Sequence, residues 1–149
     1  MNPYRRFAAM IAVSTVLMFG LMYLNTFEAD HVFFSQTRAW MALVMGATMA
    51  AIMLTFMTHM LKNKVANLCI AVGSVLVFAI SLWLARSQAT VDQVSYMKAM
   101  IPHHSIAIMT SKRASITDRR VRKLADDIID AQVREIGEMK QLISELEKR

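Results

Sequence analysis

Three long apolar segments constrain the fold of this chain more than any other feature of its sequence. The segments 7–27, 39–61 and 65–85 contain no Asp, Glu, Lys or Arg. Each is about as long as the roughly 20 apolar residues that an α-helix needs to cross a bilayer. The sequence therefore predicts a membrane domain over residues 1–85 with three transmembrane helices, and the lipid bilayer is its first expected partner.

The basic residues at the ends of these segments predict the orientation in the membrane. Arg5, Arg6, Lys62 and Lys64 fall at one end of the predicted spans. Lys and Arg beside spans favour the cytoplasm. We therefore expect a bacterial inner-membrane protein with a cytoplasmic N-terminus and a periplasmic C-terminal domain.

The chain becomes charged from residue 86 onward, and residues 86–149 are predicted to form a soluble helical domain. Thr90 and Gln93 have the spacing of a capping box, which predicts a first helix from there to about Ser115. Thr117 or Asp118 is predicted to cap a second helix that runs close to the C-terminus.

Apolar residues recur every three or four positions in both predicted helices. The stripe of the first helix consists of Val94, Met97, Ile101, His104, Ile108 and Ser111. The stripe of the second consists of Val121, Leu124, Ala125, Ile128, Gln132, Glu135, Ile136, Met139, Leu142, Ile143 and Leu146. Two such helices joined by a short turn predict an all-α antiparallel hairpin. Its uncovered apolar faces predict a homo-oligomer, most simply a dimer that completes a four-helix bundle.

The stretch "MIPHHSIAIM", residues 100–109, gathers the groups that are most suggestive of chemistry. His103 and His104 follow Pro102, which is predicted to kink the helix or to restart it. Met100 precedes the histidines by three and four residues and falls on the same side. Imidazole with thioether is a soft ligand set, which suits Cu(I) or Ag(I). Met97 and Met109 are further candidate thioether ligands.

The hairpin predicts which residues of the second helix face the histidines. A turn centred near Thr117 places His103 and His104 opposite residues 130–132, and Met100 opposite roughly residues 134–135. Zinc remains an alternative ion, with His103, His104 and Glu135 as three ligands. Gln132 and Glu135 are alternatively expected to orient the imidazoles by accepting their second N–H.

Other interpretations of the same residues stay open. A buried histidine bonded to a glutamate is a common polar lock, which would make the chain a structural module that oligomerises in the membrane. An exposed copper site that cycles would instead make it a redox enzyme, but no substrate pocket or catalytic residue is predicted. The paired Glu-x-x-His motifs of a di-iron site are absent from the sequence.

The two stretches "MIPHHSIAIM" and "VRKLADDIIDAQVREIGEM" resemble the bacterial family named domain of unknown function 305. Its members share MIPHH and a later QxxEIxxM on a ferritin-like helical bundle, and some of them are periplasmic copper- and silver-binding proteins. The resemblance covers about residues 90–146. It implies Met100, His103 and His104 from the first half of a metal site, and Gln132, Glu135 and Met139 from the second. This chain has one hairpin where tandem members have two, which strengthens the prediction of a dimer.

Methionine is abundant in this chain, with 14 residues. Met41, Met45, Met49, Met53 and Met57 recur every four residues in the second apolar segment, and a thioether path for a soft cation is one interpretation of this row. Packing of an adaptable apolar side chain is the stronger one. Ala42, Gly46 and Ala50, spaced alike, predict a close-packing surface for another span.

Two charged groups of residues suggest further partners. Glu28, Asp30 and His31 form a second possible metal-ligand cluster in the loop after the first span. The hairpin tip carries six cations, for which a solvated face and an anionic partner are both open interpretations. They are Lys112, Arg113, Arg119, Arg120, Arg122 and Lys123. The net charge of +6 is divided between both halves of the chain and does not indicate nucleic-acid binding.

Overall fold

A computed structural model describes residues 2–148, which form five α-helices and one short 3-10 helix. The α-helices are α1 (Pro3–Leu21), α2 (Gln36–Phe56), α3 (Lys64–Ser87), α4 (Gln93–Arg113) and α5 (Arg119–Leu146). The 3-10 helix, Ala29–His31, lies between α1 and α2. The described residues contain no β-strand, so the predicted all-α class is confirmed.

The chain divides into two compact units. We call residues 2–22 with 36–90 the apolar unit, and residues 23–35 with 91–148 the hairpin unit. A single division after residue 85 does not describe this grouping, because the loop between α1 and α2 packs with α4 and α5.

Three helices of the apolar unit, α1, α2 and α3, are long and apolar enough to cross a membrane. Their limits differ from those expected at 7–27, 39–61 and 65–85. The side chain of Asn2 accepts a hydrogen bond from the Tyr4 N–H and Pro3 occupies the first turn, so α1 begins earlier. It ends at Leu21, and the Arg38 guanidinium donates to the Met22 carbonyl over 2.7 Å. Helix ends are set by such partners rather than by where apolar residues stop.

The backbone of α2 lies close to α1 at Gly46, within a row of small buried residues. Ala42, Gly46 and Ala50 are buried, which confirms the close-packing surface expected from their spacing. A β-carbon placed on Gly46 would lie only 2.2 Å from the Thr15 Oγ1 of α1. The backbone of α2 therefore approaches α1 more closely than any larger residue would permit.

Side-chain caps define the two helices of the hairpin unit. The Asp92 carboxylate accepts from the Ser95 N–H over 2.7 Å and caps α4, so the capping box predicted at Thr90 and Gln93 is wrong. Asp118 caps α5 by accepting from two N–H groups of its first turn, as one of the two expected residues. The aspartates determine the helix starts because an ionised carboxylate is a strong acceptor for exposed N–H groups.

Only some residues of the predicted stripes are buried in the hairpin core. Met97, Ile101, Ile108, Ile136 and Ile143 form the buried cluster. Other stripe members of α5 remain exposed on one face: Val121 (49%), Leu124 (59%), Ile128 (36%) and Leu142 (47%). Phe27 and Phe33 of the loop pack against the cluster, so part of the cover for the hairpin comes from the same chain.

Helix α4 is continuous through the buried Pro102. Proline has no N–H for the carbonyl of Lys98, one turn earlier, so the backbone ladder lacks one bond there. Of the two expected outcomes, a restart at this point does not occur.

Candidate metal centre

His104 meets Glu135 where α4 packs on α5. The His104 Nδ1 lies 3.2 Å from Glu135 Oε2, and the two side chains are 14% and 41% exposed. The predicted partners at residues 130–132 are therefore displaced by about one helical turn. The linker starts and ends with extended residues, Ala114 and Asp118. It lets α5 begin well beyond the end of α4, so a residue further along α5 faces His104.

The rise per residue supports this account of the register. His104 lies nine residues from the end of α4, or about 14 Å, whereas Glu135 lies sixteen residues into α5, or about 24 Å. Pairing residues at equal sequence distances from the middle of the turn cannot predict this offset, because that method assumes that α4 ends and α5 begins at the same level.

The imidazole of His104 is buried at Nδ1 without a hydrogen bond. Although Glu135 Oε2 is near, the contact lacks hydrogen-bond geometry, and Nδ1 is one of two such unsatisfied side-chain atoms among residues 2–148. A buried polar atom without a partner costs stability, and most proteins avoid it. This nitrogen is thus available to a further group.

Burial also keeps this imidazole neutral. Loss of water around His104 lowers its pKa below the ordinary 6.5, the charge of Glu135 opposes that shift, and His103 adds to it. Neutral imidazole is the form that binds metal ions.

His103 is exposed, and its ring centroid lies 6.3 Å from that of His104, with the ring planes tilted by 56°. Two imidazoles that bind one ion through nitrogens at about 2.0 Å have ring centroids at most about 6.4 Å apart. The separation of the rings is therefore close to the upper limit for one ion held between two ring nitrogens. Met100, half-buried, occupies the preceding turn of α4.

The remaining predicted residues lie at several depths. Met97 is a buried core residue and Met139 packs against the same core. Met109 and Gln132 are half-buried, and Pro102 is buried. The structure thus places His104 against Glu135 and His103 beside His104, while Met97 and Met139 contribute to the hairpin core.

Comparison with known proteins bears on this half of the chain. Residues 84–149 match the model of a family described as "Domain of unknown function (DUF305)". We call this segment the DUF305 domain after the family model that it matches. His103, His104 and Glu135 all lie within the DUF305 domain.

One curated relative resembles about half of the chain. The chain is 39% identical over 74 residues to a protein described as "Uncharacterized protein L153" from Acanthamoeba polyphaga mimivirus. The alignment covers 48% of this chain and 49% of that protein, so the chain spans about half the length of this curated relative. No solved structure matches the chain.

A second group of polar side chains lies beside the DUF305 domain, in the loop that its family model does not include. Glu28, Asp30 and His31 each place one ligand atom within 4.8 Å of the others. His31 is buried, and its Nδ1 lies 3.0 Å from the Oγ of the fully buried Ser105 on α4. That Oγ also accepts the Phe27 N–H over 2.8 Å.

Ser105 is a residue that sequence reasoning missed. It follows His104 directly and lies four residues after Ile101, so it is a polar residue at a buried helical spacing. That position was the available signal, because a buried hydroxyl needs a hydrogen-bond partner.

Internal contacts occupy most of the basic tip of the DUF305 domain. Arg120 pairs with Asp118, Arg122 with Asp126, and Lys123 with Asp127. The Lys112 ammonium lies 4.7 Å from the centroid of the Phe27 ring. These contacts favour a solvated, self-paired face, and an anionic partner at this tip stays a prediction.

Proposed function

We propose that this chain is a membrane-anchored protein that binds a soft metal ion, Cu(I) or Ag(I), in copper homeostasis or tolerance. His103 and His104 are the principal ligands, Met100 is the thioether nearest in sequence, and Glu135 is a ligand or orients His104. The observation that carries the proposal is the buried Nδ1 of His104, which has no hydrogen bond although Glu135 Oε2 lies 3.2 Å away.

Three properties of the site support a soft cation. The lowered pKa of His104 keeps a nitrogen lone pair available near neutral pH. The spacing of the two rings suits one shared ion of low coordination number. Thioether and imidazole favour Cu(I) over hard ions such as Mg²⁺. The proposed role is binding, without a catalytic step.

The proposed location is the periplasmic side of a bacterial inner membrane. Arg5, Arg6, Lys62 and Lys64 support a cytoplasmic N-terminus and a cytoplasmic loop between α2 and α3. Three spans then leave the DUF305 domain on the opposite side. A periplasmic domain is positioned to meet metal ions that enter the cell envelope.

The proposed assembly is a dimer. The exposed apolar residues Val121, Leu124, Ile128 and Leu142 recur along one helix, α5, and would be covered if two hairpins formed a four-helix bundle. Leu124→Glu is expected to shift the detergent-solubilised protein from dimer to monomer in native mass spectrometry. An unchanged mass would remove α5 as the dimer contact.

The decisive experiment is a Cu(I) titration of the full chain in detergent against a chromophoric Cu(I) chelator. We expect the parent to compete with the chelator and a His103→Ala, His104→Ala variant to lose this competition. His59→Ala is the matched control, because this exposed histidine lies in the turn after α2, in the apolar unit. Equal Cu(I) affinity of the parent and the double variant would refute the proposal.

A structural module is the second candidate, and the contact of His104 with Glu135 together with the exposed α5 residues favours it. In that case the same double variant would lose its oligomeric state in metal-free buffer. A variant that keeps its mass but loses Cu(I) supports the metal-binding function instead.

A further inference from the structure

We propose that Glu28, Asp30 and His31 form a second metal site, selective for a borderline divalent ion such as Zn²⁺ and oriented by Ser105. It lies in the loop outside the DUF305 match and differs in ligand chemistry from the site at His103 and His104. The two proposals are therefore independent.

The distances from His31 to the two carboxylates are close to those in a tetrahedral metal site. His31 Nε2 lies 3.6 Å from Glu28 Oε2 and 3.8 Å from Asp30 Oδ1. Ligands bound to zinc at about 2.1 Å in a tetrahedron lie about 3.4 Å apart. Both distances exceed hydrogen-bond length, so Nε2 is directed towards two carboxylates without bonding to either.

Burial and hydrogen bonding hold the ring of His31 in this orientation. Its side chain is only 8% exposed, and the 3-10 helix Ala29–His31 places Asp30 immediately beside it. The Phe27 N–H donates to Ser105 Oγ, which leaves this oxygen a lone pair for a proton on His31 Nδ1. Nε2 then carries the free lone pair. A second hydrogen bond of this kind commonly fixes the tautomer of a metal-binding histidine.

The donor set defines the class of ion. One imidazole with two carboxylates is a nitrogen and oxygen set with two negative charges, which suits Zn²⁺ and other divalent transition ions better than Cu(I). Magnesium prefers oxygen ligands alone. Glu28 and Asp30 are exposed, so the ion has a route from solvent and a fourth position is open to water.

Lys140 opposes the ion and provides a test of the charge argument. Its ammonium lies 2.5 Å from Asp30 Oδ2, whereas Oδ1 is the oxygen that faces His31. Asp30 can thus contact lysine and metal through different oxygens. Removal of the lysine charge should strengthen zinc binding, because a cation beside a cation site is repulsive.

The test is calorimetric Zn²⁺ titration of the full chain in detergent. We expect one Zn²⁺ per chain at this site, and a Glu28→Gln, Asp30→Asn variant should bind at least about tenfold more weakly. Both side chains are exposed, so this variant is expected to keep its fold. Ser105→Ala should weaken binding by about tenfold, and Lys140→Met should strengthen it by about fivefold.

Two controls separate this site from the one at the two adjacent histidines. Asp126→Asn removes an exposed carboxylate of α5 and should leave Zn²⁺ affinity unchanged. The His103→Ala, His104→Ala variant should also retain this zinc. The proposal is overturned if Glu28→Gln, Asp30→Asn binds Zn²⁺ like the parent, or if the lost histidine pair abolishes all zinc binding.

Discussion

Replacement of Gly46 by alanine should separate α1 from α2. The new β-carbon would lie 2.2 Å from Thr15 Oγ1, 3.1 Å from its Cγ2 and 3.2 Å from its Cβ. Ordinary contacts of this kind lie near 3.5 to 4.0 Å. Rotation of Thr15 about χ1 would break the 2.8 Å bond from Oγ1 to the Ile11 carbonyl, and it would leave its Cβ only 3.2 Å from the new β-carbon. The helices must therefore move apart by about 1 Å.

The expected magnitude comes from comparison with a second glycine. Overpacking of this kind costs about 1–3 kcal/mol, whereas alanine gains up to about 1 kcal/mol over glycine inside a helix. Gly73→Ala on α3 is the matched control, because a β-carbon there meets nothing within 4 Å. The difference between the two variants cancels the helix propensity and isolates the clash, at about 1–3 kcal/mol.

The assay is thermal unfolding of both variants in the same detergent, followed by circular dichroism. Gly46→Ala should melt about 5–10 °C below Gly73→Ala, and Thr15→Ala in the Gly46→Ala background should recover most of the loss. Equal melting temperatures for the two single variants would refute the close contact between α1 and α2. If Thr15→Ala does not restore the melting temperature, the loss of stability does not come from the contact with Thr15.

Three further perturbations probe the hairpin unit. Asp118→Ala should lower the melting temperature more than Thr117→Ala does, and this difference should disappear in acid. The bonds from Arg120 hold the pKa of Asp118 below 3.8, so its stabilisation is present above that pH and is lost as pH falls through the lowered pKa. Ile101→Ala, at a fully buried position, should cost about 2–5 kcal/mol in chemical unfolding. Glu135→Gln should lower the pKa of His104 further in an NMR titration of the metal-free chain, because the Glu135 charge is the contribution that raises it. An upward shift would contradict that assignment. Since burial disfavours protonation of His104, its contribution to stability is expected to fall as pH drops below about 6.5.

Local patterns predicted the elements of this fold better than they predicted how the elements meet. The apolar segments and the three-and-four spacing gave three helices that can cross a membrane and a helical hairpin. Asp118 was recognisable as a cap because capping depends on the nearest N–H groups alone. The cap at Asp92 was missed because Thr90 has a competing local pattern.

The candidate site was predictable in its residue types but not in its register. His104 and Glu135 stand out as polar members of apolar stripes. That His104 meets Glu135 follows from an extended linker that shifts α5 along α4. Helical period fixes which face a residue occupies, but the level of a contact depends on the turn and on packing along the whole interface.

The sequence by itself therefore determined the composition of this protein's parts: three helices apolar enough for a membrane, an amphipathic hairpin and a pair of histidines on it. Only the tertiary structure decided that residues 23–35 belong with the hairpin and that Ser105 holds His31 towards Glu28 and Asp30. The physical reason is that hydropathy and helical period act over neighbouring residues. The bond between Ser105 and His31 joins residues 74 positions apart, and no local signal encodes such a distance.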